Sequence, residues 1–262
     1  MEPEQTQQQQ KSSQFTHVFS GWSIWIEPTS ESDSAKNVTA EMKTMADKCG
    51  GEGNGVYFFA PHCTLLYNFN ASRLVELDGN EGLSDREIGK KMLQECRHLY
   101  HHHREGRSDD DGDETIIDNE MQAGANKNTS PPNLIPTSFH FFPYPKEADN
   151  GKGFGCVIPL LLLQNTPNLQ RIHDIVTNVF PPDERHDKEQ SKQADLPNGG
   201  RFIPHMALCY APEVYEEELG RYTRELKETR MDLLQPLEVG FLSVWSTEGQ
   251  LKDWKLIERV CL

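Results

Sequence analysis

The chain has 262 residues, of which 35% are hydrophobic and 26% are charged, and its formal net charge is −15. This charge argues against a protein that binds duplex DNA or an anionic membrane surface, because such proteins present a basic face. The longest apolar run is only as long as a strand, so the sequence contains no candidate for a membrane-spanning helix.

The compartment is predicted from cysteine usage and from the N-terminal residues. Six cysteines are scattered along the chain without a CxxC pair, which is typical of reduced thiols rather than a disulfide framework or a zinc site. The first residues are acidic and Gln-rich and show no apolar segment of a secretory signal. We therefore expect a cytoplasmic protein with no metal and no cofactor.

Three polar segments divide the chain. Residues 1–16 are Gln-rich and predict a disordered tail, and the rest, 17–262, predicts one bilobal domain. Two polar insertions, 105–135 and 182–199, interrupt that domain. The first insertion carries eight acidic residues between positions 105 and 120, which is about half of the excess negative charge.

The first half of the chain predicts the order strand, helix, strand, helix. Alternating residues indicate a strand over 19–27, and a helix over 32–48 follows with Ser32 or Asp33 as its N-cap. A second strand covers 61–69. A helix over 84–104 begins with a Ser-Asp-Arg-Glu capping box and continues with an apolar stripe.

The second half of the chain predicts a similar order. The predicted elements are paired strands over 138–143 and 155–163, a helix over 166–180, a strand over 201–211, a helix over 212–230, and strands over 237–245 and 254–261. Thr166 is the expected N-cap of the first of these helices, with Pro167 at the first helical position. The alternation of elements indicates an α+β fold of two similar lobes.

A short internal repeat supports two lobes. Residues 61–67 read Pro-His-Cys-Thr-Leu-Leu-Tyr, and residues 204–210 read Pro-His-Met-Ala-Leu-Cys-Tyr, so four of seven positions agree. Each copy lies early in a predicted strand and precedes a predicted helix. A single copy would favour an ordinary packed histidine, but two copies placed alike in the two halves favour a paired role.

Strand geometry converts this repeat into a candidate site. Side chains alternate along a strand, so His62 shares a face with Thr64, and His205 shares a face with Ala207. Leu65 and its counterpart in the second copy would anchor each strand to its own helices. If the lobes pack about a pseudo-two-fold axis, both imidazoles meet across one cleft. Histidine can give or take a proton near neutral pH, and a threonine hydroxyl can stabilise phosphoryl oxygens.

These residues resemble the 2H phosphoesterase superfamily, and within it the plant-type cyclic phosphodiesterases. The resemblance rests on the two His-containing strands, on the SIWIEP opening, and on the stretches 155–167 and 202–211. It covers 19–104 and 137–262 and leaves out the tail and both insertions. It implies a bilobal fold in which two antiparallel sheets face a central cleft, with the helices outside.

The resemblance also implies roles for particular residues. His62 and His205 would be catalytic, and Thr64 and Tyr210 would bind the substrate phosphate. Strict alternation from His205 would turn Tyr210 away, unless a bulge or bend intervenes. The sequence departs from the family pattern at Ala207, where a Ser or Thr is expected, so one phosphate-binding hydroxyl is missing.

The expected activity is metal-independent hydrolysis of ADP-ribose 1″,2″-cyclic phosphate or of nucleoside 2′,3′-cyclic phosphates by a monomer. His205 would activate water and His62 would protonate the departing ribose oxygen, although the two roles can be exchanged. One alternative is an enzyme of the same superfamily that acts on RNA ends carrying 2′,3′-cyclic phosphates. Another is an inactive nucleotide-binding or scaffold module, which Ala207 and the polar insertions would suit.

Overall fold

The computed structural model of the chain describes residues 19–69, 74, 80–102, 132–144, 155–180 and 202–262. These residues form two antiparallel sheets and four α-helices, which confirms the predicted α+β class. The predicted tail and the insertion over 182–199 lie outside the described residues. None of the described helices has the length and apolar character needed to cross a membrane.

The strands and helices agree closely in order with those predicted. In chain order they are β1 (Trp22–Pro28), α1 (Asp33–Lys48), β2 (Cys63–Phe69), α2 (Asp85–His102), β3 (Asn133–Leu134), β4 (Pro136–Tyr144), β5 (Cys156–Leu163), α3 (Pro167–Val179), β6 (His205–Ala207), β7 (Ala211–Pro212), α4 (Glu216–Thr229), β8 (Leu237–Ser246) and β9 (Lys255–Cys261).

The helix starts form as the capping patterns predict. The Ser32 side chain accepts a hydrogen bond from the backbone N–H of the third residue after it at 3.2 Å, and Thr166 does the same at the start of α3. At the start of α2 the backbone N–H of Ser84 donates to the Glu87 carboxylate at 2.8 Å. Each of these caps therefore satisfies one backbone donor at the start of its helix.

The two sheets meet along two edge strands. The first sheet has the order β2–β1–β8, and β3 and β9 also pair with β8. In the second sheet β5 pairs with β4, and β6 and β7 pair with β5 as well. Strands β2 and β6 contact each other where the sheets come together. Since each copy of the repeat supplies one of these two strands, the contact brings the copies side by side.

The helices cross between the halves of the chain. Helix α3 comes from the second half but packs against β2 and α2 of the first. Helix α1 comes from the first half, yet its Glu41 accepts a hydrogen bond from Tyr222 of α4 at 2.6 Å. Leu65 and Leu208 are buried as predicted. The expectation that each strand is anchored to its own helices does not hold for β2, because α3 of the other half packs against it.

The strand predicted over 201–211 is broken. Only His205–Ala207 and Ala211–Pro212 form strand, and both pieces pair with β5. Leu160 of β5 pairs with Ala207, and Val157 of β5 pairs with Ala211. The segment 207–211 is therefore one residue longer than the stretch 157–160 that it faces. Pro159 lies within that stretch and has no N–H to donate. The extra residue forms a bulge between the two pieces.

The first insertion is shorter than predicted at its C-terminal end. Asn133 and Leu134 form β3 and pair with β8, and Leu134 is fully buried. Residues 105–131 lie outside the described residues. The apolar Leu-Ile pair before Pro136 therefore belongs to the body of the protein.

Candidate active site

Both repeat histidines hold the same local geometry. His62 Nδ1 lies 2.8 Å from the carbonyl oxygen of Ala60, and His205 Nδ1 lies 2.9 Å from the carbonyl oxygen of Ile203. A proline separates each carbonyl from its histidine and favours an extended backbone at the residue that supplies the carbonyl. Because a carbonyl only accepts, each Nδ1 carries the proton and each Nε2 presents a lone pair.

The contact between β2 and β6 places the two histidines near each other. Strands β2 and β6 are in contact, and a positive charge on His205 lowers the pKa of His62. Burial raises the pKa of the Cys63 thiol to about 12. The backbone of His205 opposes this shift through a hydrogen bond to the thiol. The residue after one histidine therefore touches the backbone of the other. The charge of His205 therefore acts on His62 across the contact between the two strands.

His62 is the more deeply enclosed imidazole. It is 2% exposed, and its ring stacks on Trp25 with 3.6 Å between centroids and 10° between planes. Burial lowers its pKa from 6.5 to about 4, the Ala60 hydrogen bond opposes that shift, and the charge of His205 adds to it. His62 is accordingly a neutral base at physiological pH.

His205 occupies a more open position. Its side chain is only partly buried, and none of the described aromatic rings stacks on it. Burial lowers the pKa of His205 as well, and its hydrogen bond to the Ile203 carbonyl opposes that shift. The two halves thus present the same tautomer with different access to solvent.

The residue two positions after each histidine differs between the halves. Thr64 is partly exposed and pairs across the sheet with Trp25. Its hydroxyl has no hydrogen-bond partner within the described part of the chain. Ala207 is 8% exposed and offers no hydroxyl. Only one half of the site can therefore donate a side-chain hydroxyl from this position.

Tyr210 lies closer to the site than strict alternation allows. The bulge after Ala207 reverses which face the following residues take. The backbone of Tyr210 then exchanges two hydrogen bonds with Tyr57, at 2.7 and 2.9 Å. Its ring lies 5.9 Å from Phe59, which in turn lies 6.4 Å from the His62 ring. Burial raises the pKa of Tyr210, so the phenol stays protonated and can donate a hydrogen bond.

Aromatic residues that the sequence analysis did not single out surround His62. Phe59 stacks on Trp254 with 5.0 Å between centroids, and Trp25 stacks on Trp245 with 4.3 Å. Together with Tyr210 they form a wall beside the imidazole. A signal was present in β1, where alternation sets Trp25 on the face opposite the two isoleucines, and a tryptophan there needs a partner other than the apolar core.

A buried carboxylate lies behind this wall. Glu27 is 4% exposed and pairs with Arg259 at 3.0 Å. The hydroxyl of Ser243 donates to the same carboxylate, and Trp245 Nε1 donates to it at 3.2 Å. Burial of a charge is costly unless it is paired and hydrogen-bonded, and here both conditions hold.

Two other features take no part in this site. The His98 and His102 rings lie 4.1 Å apart on α2, but no group of three or more metal-ligating side chains occurs among the described residues. An open groove of about 560 Å³ lies between β4 and α4. Three carboxylates line it, from Glu213, Glu216 and Glu217, against the single guanidinium of Arg224, so the groove disfavours an anionic phosphate.

The sequence was also compared with known proteins. It matches no protein-family model, and it matches none of the curated proteins.

Proposed function

We propose that this protein hydrolyses small cyclic phosphates, namely nucleoside 2′,3′-cyclic phosphates or ADP-ribose 1″,2″-cyclic phosphate, with two histidines and no metal. The observation that carries the proposal is the matched geometry of His62 and His205. Each holds Nδ1 on a backbone carbonyl and keeps Nε2 as the reactive nitrogen. The resemblance of both strands to the 2H phosphoesterases supports the same reaction.

The reaction needs one proton acceptor and one proton donor. The acceptor takes a proton from water as the water oxygen attacks phosphorus. The bond from phosphorus to one ribose oxygen then breaks, and the donor protonates that oxygen. Burial and the neighbouring charge both oppose a proton on His62, so a single proton on the pair favours the more open His205. We assign His62 as base and His205 as acid, which exchanges the roles expected from the sequence.

The phosphoryl oxygens also need hydrogen-bond donors. Thr64 supports this role because its hydroxyl is partly exposed on the same face as His62. The Tyr210 phenol is a second donor, protonated at neutral pH. Bound phosphate would favour protonation of both imidazoles, because an opposite charge nearby raises the pKa of a histidine.

The test is hydrolysis of a nucleoside 2′,3′-cyclic monophosphate in the presence of EDTA. The wild-type protein should hydrolyse this substrate. The variants His62→Ala and His205→Ala should each lose most of that activity. The exposed His140 on β4 offers a matched control, and His140→Ala should keep it. Turnover that disappears in EDTA, or that survives in either repeat variant, would refute the proposed mechanism.

Ala207 favours a second candidate, an inactive module that binds nucleotides. Loss of one transition-state donor costs on the order of 10²–10³ in rate, which can leave binding without useful turnover. Calorimetric titration with a nucleoside 2′-monophosphate separates the two candidates. Binding without hydrolysis by the wild-type protein, and hydrolysis gained by Ala207→Ser, would identify the inactive module.

A further inference from the structure

The His62 imidazole ends a stack of three rings. Trp25 stacks on this imidazole with 3.6 Å between ring centroids. Trp245 in turn stacks on Trp25, with 4.3 Å between ring centroids. The planes depart from parallel by 10° and 23°. Trp25 is 1% exposed, so its position depends entirely on its neighbours.

Hydrogen bonds hold the far end of the stack. Trp245 Nε1 donates to Glu27 at 3.2 Å and lies 3.1 Å from the Ser243 hydroxyl. Arg259 neutralises Glu27 from the partly exposed side, at 3.0 Å. Rotation of Trp245 would break these bonds and remove one donor from a buried carboxylate, which is unfavourable. The stack therefore has a rigid base.

The other constraint on His62 is its hydrogen bond to the Ala60 carbonyl. That bond holds Nδ1 but leaves the ring able to pivot about the hydrogen-bond direction. A flat surface against one face of the ring removes this remaining freedom. We propose that Trp25 is a positioning residue, whose indole, held by Trp245 and Glu27, fixes the plane of the His62 imidazole so that Nε2 faces the space shared with His205.

Trp22 provides a matched control within the same strand. It is 2% exposed, nearly as buried as Trp25, but it lies on the opposite face of β1. Its ring packs edge-on against Phe69, with 6.0 Å between centroids, within the apolar core. Substitution of either tryptophan removes similar buried volume, and only one of them touches His62.

The test compares Trp25→Leu and Trp25→Phe with Trp22→Leu and Trp22→Phe in the full chain. The pKa of His62 is measured by NMR of its ring, with thermal unfolding measured in parallel. The pKa should rise in Trp25→Leu, because loss of the indole admits water to the imidazole, and should rise less in Trp25→Phe. Both Trp22 variants should leave the pKa of His62 unchanged while losing comparable stability.

Kinetics adds a second readout, which rests on the proposed function. Misplacement of the ring should lower kcat for a nucleoside 2′,3′-cyclic phosphate by about 10–100-fold in Trp25→Leu, with KM retained and part of the rate restored by phenylalanine. An unchanged His62 pKa in the Trp25 variants, or an equal shift in the Trp22 variants, would overturn the inference.

The outcomes remain distinguishable from failure of the proposed function. If a leucine variant does not fold, the phenylalanine pair decides the comparison. If the wild-type protein turns over no cyclic phosphate, the proposed function fails, and the NMR measurement still decides whether Trp25, and not Trp22, controls the environment of the His62 imidazole.

Discussion

The two copies of the Pro-His heptad share one hydrogen bond from the imidazole to the backbone and differ in how the imidazole is covered. Both imidazoles donate Nδ1–H to the carbonyl two residues upstream. The ring of His62 is stacked against Trp25 and buried, whereas His205 is partly exposed to solvent. The heptad and the residue before it therefore set the tautomer, and the neighbouring strands set how easily each ring is protonated. Under the proposed function, the duplicated sequence would supply one base and one acid.

The largest expected effect tests whether the two copies act together. His62→Ala and His205→Ala should each lower turnover of a nucleoside 2′,3′-cyclic phosphate by about 10²–10⁴-fold. If both rings serve one reaction, as proposed, the double variant should lose little more than the worse single variant. A loss in the double variant equal to the product of the single losses would show two independent contributions. It would contradict the prediction that the two copies act together.

The next effect concerns the hydroxyl that only the first copy has. Thr64→Ala should lower kcat by about 10²–10³-fold, since it removes a donor to the charge that develops on the phosphoryl oxygens. Thr64→Ser keeps the hydroxyl and should retain most of the rate. Equal losses in both variants would indicate that the threonine methyl group, and not its hydroxyl, matters.

The burial of His62 predicts a pH dependence of stability. Its pKa in the folded protein, about 4, lies below the ordinary value of 6.5, so the unfolded chain binds more protons between these two pH values. The contribution is present above pH 6.5 and is lost as the pH falls towards 4, and it amounts to on the order of 3 kcal/mol.

Urea unfolding of the wild-type protein and of His62→Gln at pH 7 and pH 4.5 measures this contribution. The loss of free energy of unfolding on acidification should be smaller in the variant, which cannot take up the proton. Parallel pH dependences in the two proteins would contradict the deep burial of His62 and remove the main difference between the copies.

The smallest expected effect comes from making the copies more alike. Ala207→Ser restores the hydroxyl that the second copy lacks, at a position 8% exposed. Turnover should be kept or should rise, because the site gains a donor without a large change in volume. A large fall in kcat would mean that Ala207 serves another purpose, such as close contact with the substrate.

Much of this arrangement follows from local sequence. Capping residues such as Ser32 and Thr166 predict where helices begin, and alternation in β4 and β5 predicts their pairing. The bulge that redirects Tyr210 arises from the register of this segment against β5, a partner strand that local reading of residues 204–210 does not include. The partners of Trp25 are equally non-local, since Trp245 is 220 residues away in the chain. Tertiary contacts decide these features.

The central claim is that the two imidazoles bind the same phosphate group. NMR titration with a nucleoside 2′-monophosphate tests this claim most directly. The Nε2 signals of His62 and His205 should both shift, with one shared Kd and a stoichiometry of one ligand per chain. Binding should also raise the pKa of both rings. A shift confined to one histidine, or two different Kd values, would contradict the account.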